Sequence, residues 1–385
     1  MTRTEKLLAE LIALPSVNPA FLPAHHPYAG ERRVAEFLAS VAARAGLEVE
    51  LQKVLPGRFN LVARLQPRNK IRRTILLVPH LDTVGADGTR FIPQRRNGRV
   101  HGRGACDTKG SVAAMLGALC ELANSPSRPA ETEIIFAGVV DEENAQAGSR
   151  ALVAQGMKAD LAIVGEPTRL QVITAHKGSL WLQLQTHGKA AHGATPQLGQ
   201  NAIEEMAHVV AELESGYSAR LRRRRHPLLG TATVNVGMIS GGAQPNIVPD
   251  QCSITIDRRT LPGETEAGVR REIAAWLRAR KLSAKISSTK LAPALPMETS
   301  SKLPLVRHFL KCMGQTRPLG VDFFCDAAVL SEGGIPSVVF GPGDIAQAHT
   351  ADEWISLASL ERGRNLLLHF LKSLSRTGPT DYCPR

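Results

Sequence analysis

The chain has 385 residues, of which 43% are hydrophobic, and a net charge of +12. That length suits two domains, and that composition excludes a disordered chain. Aromatic residues make up only 4%, and no nucleic-acid module motif accompanies the positive charge, which argues against a nucleic-acid binder.

The opening "MTRTEKLLAELIALPSVNPA" carries Glu5 and Glu10 and no long apolar core. It predicts an amphipathic helix rather than a signal peptide. "GERRVAEFLASVAARAG" places Val34, Phe37, Leu38, Val41 and Ala45 on one helical face. "TILLVPH" (74–80) is an apolar run ending in His80, as a buried strand does. "RGACDTKGSVAAMLGALCELA" opens a helix near Asp107. "EIIFAGVV" (133–140), "LAIVGEP" (161–167) and "IPSVVFGPG" (335–343) predict three further buried strands, and "SLERGRNLLLHFLKSL" a closing helix. Buried strands alternating with helices predict an α/β domain with a mostly parallel sheet.

The middle follows another period. "SLWLQLQTHG" alternates Leu180, Leu182 and Leu184 with polar neighbours. "TATVNVG" and "QCSITIDRR" alternate in the same way. Period two predicts half-buried antiparallel strands, with helices over 198–215 and 264–280. An α+β domain over 175–289 is therefore expected inside a domain made of 1–174 and 290–385. "RLRRRRHP" (220–227) reads as a solvated surface, with a polyanion patch as the weaker alternative. No stretch approaches the ~20 apolar residues of a membrane span. The six cysteines, Cys106, Cys120, Cys252, Cys312, Cys325 and Cys383, form no C-x-x-C pair. They predict reduced thiols in a cytoplasmic protein.

"FAGVVDEENAQAGS" (136–149) runs a strand into Asp141, Glu142 and Glu143. His80, this acidic triplet and Glu166 each follow a predicted strand, His349 follows the fourth by a short loop, and Asp107 precedes a helix. In an open α/β sheet such strand ends gather along one edge. Two histidines with several carboxylates suit zinc, with cobalt or manganese tolerated. More acids are present than one four-coordinate ion uses, so two ions sharing a carboxylate, about 3.5–4 Å apart, are expected. Asp82, two residues after His80, is placed to orient that imidazole. Adjacent residues at a strand end point apart. One of Glu142 and Glu143 is then a ligand, and the other a general base acting on the attacking water.

The motifs "HLDTVG", "GRGACDTKGSVAAML", "DEEN", "GEPT" and "AHTADEW" resemble those of the dinuclear zinc deacylase and carboxypeptidase family, in order and over nearly the whole chain. The resemblance implies a zinc-peptidase-like catalytic domain with an inserted lid and dimerisation domain, and two Zn2+ per chain. It implies that Asp107 bridges the ions, that His80 and Glu166 complete one site and that Glu143 and His349 complete the other. It makes Glu142 the base and Asp82 the partner of His80, and it implies a cis peptide at Asp107–Thr108. "KAAHGATP" resembles the lid motif whose histidine, here His192, reaches a neighbouring subunit's site. Asn246 and Arg259 match substrate-binding positions, and Arg258 departs from the usual apolar residue. The implied activity is hydrolysis of an N-acyl amino acid or short peptide by a homodimer. Within the family, "AHTADEW" and "DRRTLPGE" resemble acetylornithine deacetylase, with succinyl-diaminopimelate desuccinylase as the second reading and a carboxypeptidase or dipeptidase as the third. A catalytically silent amino-acid binder is the rival class, and the complete ligand set with Glu142 argues against it.

Overall fold

The protein is described from a computed structural model over residues 1–289 and 292–375. The expected resumption of the first domain at 290, and Cys383, lie outside the described residues. The chain divides into two compact units. The first holds Met1–Thr174, Thr299–Leu319 and the chain from Cys325 on; the second holds Ala175–Glu298 with Gly320–Phe324.

The second unit thus extends past residue 289, and pairing explains why. Met297 and Glu298 pair in antiparallel register with His176 and Ala175. Lys177 Nζ lies 2.8 Å from Asp322 Oδ1, and Arg259 Nη1 donates to the Asp322 carbonyl at 3.4 Å. Those contacts tie 320–324 to the second unit, a link that hydrophobic periodicity does not reveal.

In the first unit the sheet order is Glu48–Leu55, Arg58–Leu65, Thr132–Gly138, Arg73–Pro79, Leu161–Gly165, Ser337–Val339, and then the strand beginning at Ile173. The three central neighbours, Thr132–Gly138, Arg73–Pro79 and Leu161–Gly165, run parallel, and Ser337–Val339 continues that direction. The hairpin at 48–65 adds two antiparallel strands at one edge; the exposed positions of the outer one, Glu48–Leu55, break the apolar run that marks the central strands. The helix Lys109–Ala123 is buried on almost every side. Its run of Val, Ala, Met and Leu has no polar face, as a helix between sheet and outer helices requires. The helices Arg3–Ile12 and Leu357–Ser373 pack against it, and Leu8, Leu11, Leu116, Leu119 and Leu367 share its core.

The second unit is an antiparallel sheet in the order Thr233–Gly241, Gln251–Thr260, Gly178–His187, Lys285–Ser288. The inward alternation brings Leu180, Leu182, Leu184, Ile254 and Ile256 against Met206, Val209, Val269 and Ile273 of the helices Ala202–Glu212 and Glu266–Arg278. Trp181, on the opposite phase, is 45% exposed. Among the described residues no helix is long and apolar enough to cross a membrane. Cys106, Cys120, Cys252, Cys312 and Cys325 are free thiols.

Candidate metal centre

Register assembles the site. Pro79 pairs with Gly165 in parallel register, so the next residues, His80 and Glu166, leave neighbouring strands side by side. His80 also bridges Val139, which sets the acidic turn at 141–143 on its other flank. The helix bearing Asp107 at its entry is pinned to the same edge, because Thr108 Oγ1 donates to the Gly165 carbonyl at 2.7 Å. A Cβ on Gly165 would lie 2.9 Å from that of Ser111 and 3.0 Å from that of Pro79. Glycine there permits the close approach of helix and strand. The Asp107–Thr108 peptide is cis.

Asp107 lies between two imidazoles. Its Oδ1 is 3.1 Å from His80 Nε2, and its Oδ2 is 3.3 Å from His349 Nε2. His349 Nε2 is also 3.1 Å from Glu143 Oε2, and His80 Nε2 is 3.9 Å from Glu166 Oε1. Two groups have donor atoms within 4.8 Å of one another: His80, Asp107 and Glu143, and His80, Glu142 and Glu166. The structure thus gathers His80, Asp107, Glu142, Glu143, Glu166 and His349 in one place.

Electrostatics argue that this cluster suits cations. Four carboxylates meet two imidazoles, and the excess negative charge is buried. Burial pushes Glu142 and Glu166 well above the usual carboxylate range, and mutual repulsion with Asp326 adds to it. Burial alone would depress His80, but hydrogen bonds to Asp107 and Asp82 outweigh it and raise the ring well above its ordinary value. His349 is raised to about 10 by Asp107 and Glu143. Buried like charges of this kind are stabilised by a cation or a proton.

Asp82 has a broader part than orienting His80. His80 Nδ1 is 3.0 Å from the Asp82 main-chain oxygen and 3.5 Å from its carboxylate. The carboxylate instead accepts the backbone N–H of Glu142 on Oδ1 and of Glu143 on Oδ2, both at 3.1 Å. Asn18 Nδ2 donates to Asp82 Oδ2 at 2.8 Å and to Asp141 Oδ1 at 3.0 Å. Arg58 Nη1 reaches the same Asp141 oxygen at 2.8 Å and is paired on its other side with Glu31. Asp141, at φ +70°, is therefore the anchor of the turn rather than a third ligand.

Sequence reasoning missed Asn18, Glu31, Arg58, Asp326 and Glu353. Each is buried. Asp326 accepts a hydrogen bond from Ser149 Oγ at 2.5 Å, and burial raises its carboxyl to about 7. These are polar residues at loop or strand positions with no periodicity to mark them. A buried ionic network shows itself only once the fold is known.

In the second unit His192 and Asn246 are exposed and adjacent. Residue 193 donates its N–H to the Asn246 carbonyl at 2.7 Å, and His192 bridges Ile247. Arg259 sits at the other end of the strand Gln251–Thr260. At ~3.3 Å per residue the strand positions 251 and 259 are roughly 26 Å apart. The ladder that pairs His187 with Gln251 runs on to Gly193 and Asn246, so Asn246 lies off the end of the strand away from Arg259. Arg259 Nε donates to Asp257 Oδ2 at 3.0 Å, and a third of its side chain is exposed. Arg258 is fully buried, donating to Glu264 Oε1 at 2.7 Å and to the Tyr217 hydroxyl at 3.4 Å. It is part of the interior of the second unit. Within the basic run, Arg220 and Arg224 both pair with Glu272, at 3.1 and 2.7 Å, which neutralises part of that charge.

Residues 76–373 match Peptidase family M20/M25/M40. An acetylornithine deacetylase from Proteus mirabilis (strain HI4320) is 31% identical over 377 residues, 94% of each chain. Among solved structures, the aminopeptidase PepT from Bacillus cereus ATCC 10987 superposes with a TM-score of 0.77 at 22% identity, covering 97% of this chain and 98% of that one. An M20 family metallo-carboxypeptidase, Sso-CP2 from Sulfolobus solfataricus, gives 0.75 at 19% identity, covering 98% and 100%. With the donor cluster at its sheet edge, the chain belongs to peptidase family M20/M25/M40 and is a metal-dependent hydrolase of that family.

Proposed function

We propose that this chain hydrolyses the amide bond of an N-acyl amino acid, N2-acetylornithine foremost, with two metal ions held at the Asp107 cluster. The observation that carries this reading is Asp107 itself, with one carboxylate oxygen 3.1 Å from His80 and the other 3.3 Å from His349. One carboxylate between two imidazoles, each with its own further acid, suits a bridged pair of ions. His80 and Glu166 would hold one ion, and Glu143 and His349 the other. Zinc fits these donors, with cobalt or manganese as substitutes. When bound, the metals would supply Lewis-acid polarisation of the scissile carbonyl.

Glu142 is left for proton transfer. It takes the proton of the attacking water and delivers it to the leaving amine. Burial, with Glu166, Asp326 and Glu143 close by, raises its proton affinity well above that of an ordinary carboxylate, which favours a group that both takes up and returns a proton. Arg259 holds the substrate carboxylate, because a planar guanidinium matches its two oxygens.

His192 and Asn246 reach the site from a second copy of the chain, where the imidazole donates to the developing oxyanion. Two features support the homodimer. His192 and Asn246 travel together and lie far along the strand from Arg259. Among the described residues the edge strand Thr233–Gly241 is paired on one side only, and it exposes Met238 (69%) and Ile239 (62%). An unprotected apolar edge pairs readily with another strand. The free thiols support a cytoplasmic location.

The likeness to a curated acetylornithine deacetylase over most of the chain supports the substrate choice. The test is a turnover panel with added zinc or cobalt: N2-acetylornithine, N-succinyl-diaminopimelate, N-acetylmethionine and folyl-glutamate. The highest kcat/KM is expected for N2-acetylornithine. Preference for the succinyl substrate would move the reading to a desuccinylase, and preference for folyl-glutamate to a carboxypeptidase.

A further inference from the structure

The segment "AHTADEW" supplies His349 to the metal cluster, yet its buried acid, Glu353, takes no part there. Glu353 is only 3% exposed. Its carboxylate is occupied by the loop that leads to Asp107. Oε1 accepts the backbone N–H of Cys106 at 2.7 Å and of Asp107 at 2.9 Å. Oε2 accepts the N–H of Gly104 at 2.9 Å and Arg103 Nη1 at 2.7 Å. Two further bonds close the same seam: residue 102 donates to the Glu353 carbonyl at 3.0 Å, and Arg103 Nη2 donates to the Thr350 carbonyl at 3.2 Å. Immediately beyond, Trp354 pairs with His101 as the two segments become an antiparallel ladder.

A carboxylate has room for about four donors, and this one is filled by three backbone amides and a guanidinium. Hydrogen bonds to an ionised acceptor are about twice as strong as neutral ones. The consequence is geometric. The loop 102–107 ends at Asp107, and the loop 344–353 holds His349 four residues before Glu353. The two loops contribute side chains that meet at 3.3 Å. His349 is held at φ +60°, a conformation that persists only where its surroundings fix it. Glu353 joins the two loops behind that meeting through four hydrogen bonds of its carboxylate.

We propose that Glu353 is a positioning residue for the metal centre: by gripping the Asp107 loop from the His349 loop, it sets the spacing of the shared carboxylate and the second imidazole. This rests on the two-metal reading above. Glu353 touches neither the cluster's ligand atoms nor a reacting group, so it acts only through Asp107 and His349. A residue that merely filled the core would influence stability and leave affinity for the ions alone.

The experiment measures zinc affinity in a chelator-competition titration, with thermal melts of the chelator-stripped protein alongside. The proteins are wild type, Glu353→Gln and Glu353→Asp. Glutamine keeps the shape but turns an NH2 toward an N–H donor. Aspartate keeps the charge, draws it back by one methylene and gives a second variant should the first fold poorly. The expected result is zinc binding weakened by ~10–100-fold at both sites, the range found for residues that orient metal ligands. Activity should return with excess zinc. Unchanged affinity for two ions, with only a lower melting temperature, would overturn the proposal. Wild-type protein binding a single ion would instead overturn the two-metal reading, and the role of Glu353 would then be decided by affinity for that one ion.

Discussion

Asp82 accepts the backbone N–H of Glu143 at 3.1 Å on one carboxylate oxygen, and the other oxygen accepts the neighbouring N–H of Glu142 at the same distance. One side chain thus aims both acids of the turn. Asp82→Ala is expected to lower kcat by ~10–100-fold and to weaken metal binding, as losing a ligand-orienting partner does. Steady-state kinetics with a metal titration checks this. Normal kcat and normal affinity would show that the turn is held by Arg58 and Asn18 alone.

Asp107→Ala should lose tight binding at both metal sites, because it removes the carboxylate placed between His80 and His349. Metal analysis after gel filtration is the measurement. Retention of two tight ions would remove Asp107 from the bridging role.

Protons and metal ions compete at His349. In chelator-stripped protein its ring is raised to about 10 by Asp107 and Glu143, above the unperturbed value of about 6.5. Its folded state binds the proton more tightly, so the stability this group contributes is complete below about pH 6.5 and is lost as pH rises through about 10. Zinc must displace that proton, and metal affinity should therefore increase with pH across this window. Calorimetry in buffers of different ionisation enthalpy should record proton release on zinc binding at neutral pH. Binding without proton release would mean that the imidazole is already neutral.

If His192 acts across a dimer, the Glu142→Ala and His192→Ala proteins, each inactive alone, should complement one another. Mixed under conditions of subunit exchange, half the dimers are hybrids, and each hybrid holds one complete site. Activity should recover to roughly a quarter of the wild-type level. No recovery despite verified exchange would place His192 in its own chain's site or outside catalysis.

The central strands and their terminal residues were legible because parallel strands are continuous apolar runs, and a charged residue at the end of such a run stands out. His80, Glu142, Glu143 and Glu166 all carry that mark. The second unit's period-two alternation was equally plain, and Arg258 falls on its inward phase beside Ile254 and Ile256. Its charge hid that inward position, and the partners that make burial tolerable, Glu264 and Tyr217, lie 6 and 41 residues away. Asn18, Arg58 and Glu353 were illegible for a related reason. Their partners are backbone amides and acids brought near by folding, and no local pattern encodes such contacts. The separation of Asn246 from Arg259 needed the strand register, which places them at opposite ends.

The side-by-side comparison of Glu142→Ala and Glu143→Ala tests the proposed division of labour most directly, through metal content and single-turnover rate. Glu142→Ala should retain both ions and bind substrate while its rate falls by at least ~10²-fold, the usual scale for a general base. Glu143→Ala should weaken one metal site, and excess metal should partly restore its rate. Metal loss in Glu142→Ala with retention in Glu143→Ala would reverse the two roles, and near-normal turnover of metal-replete Glu142→Ala would contradict proton transfer by Glu142.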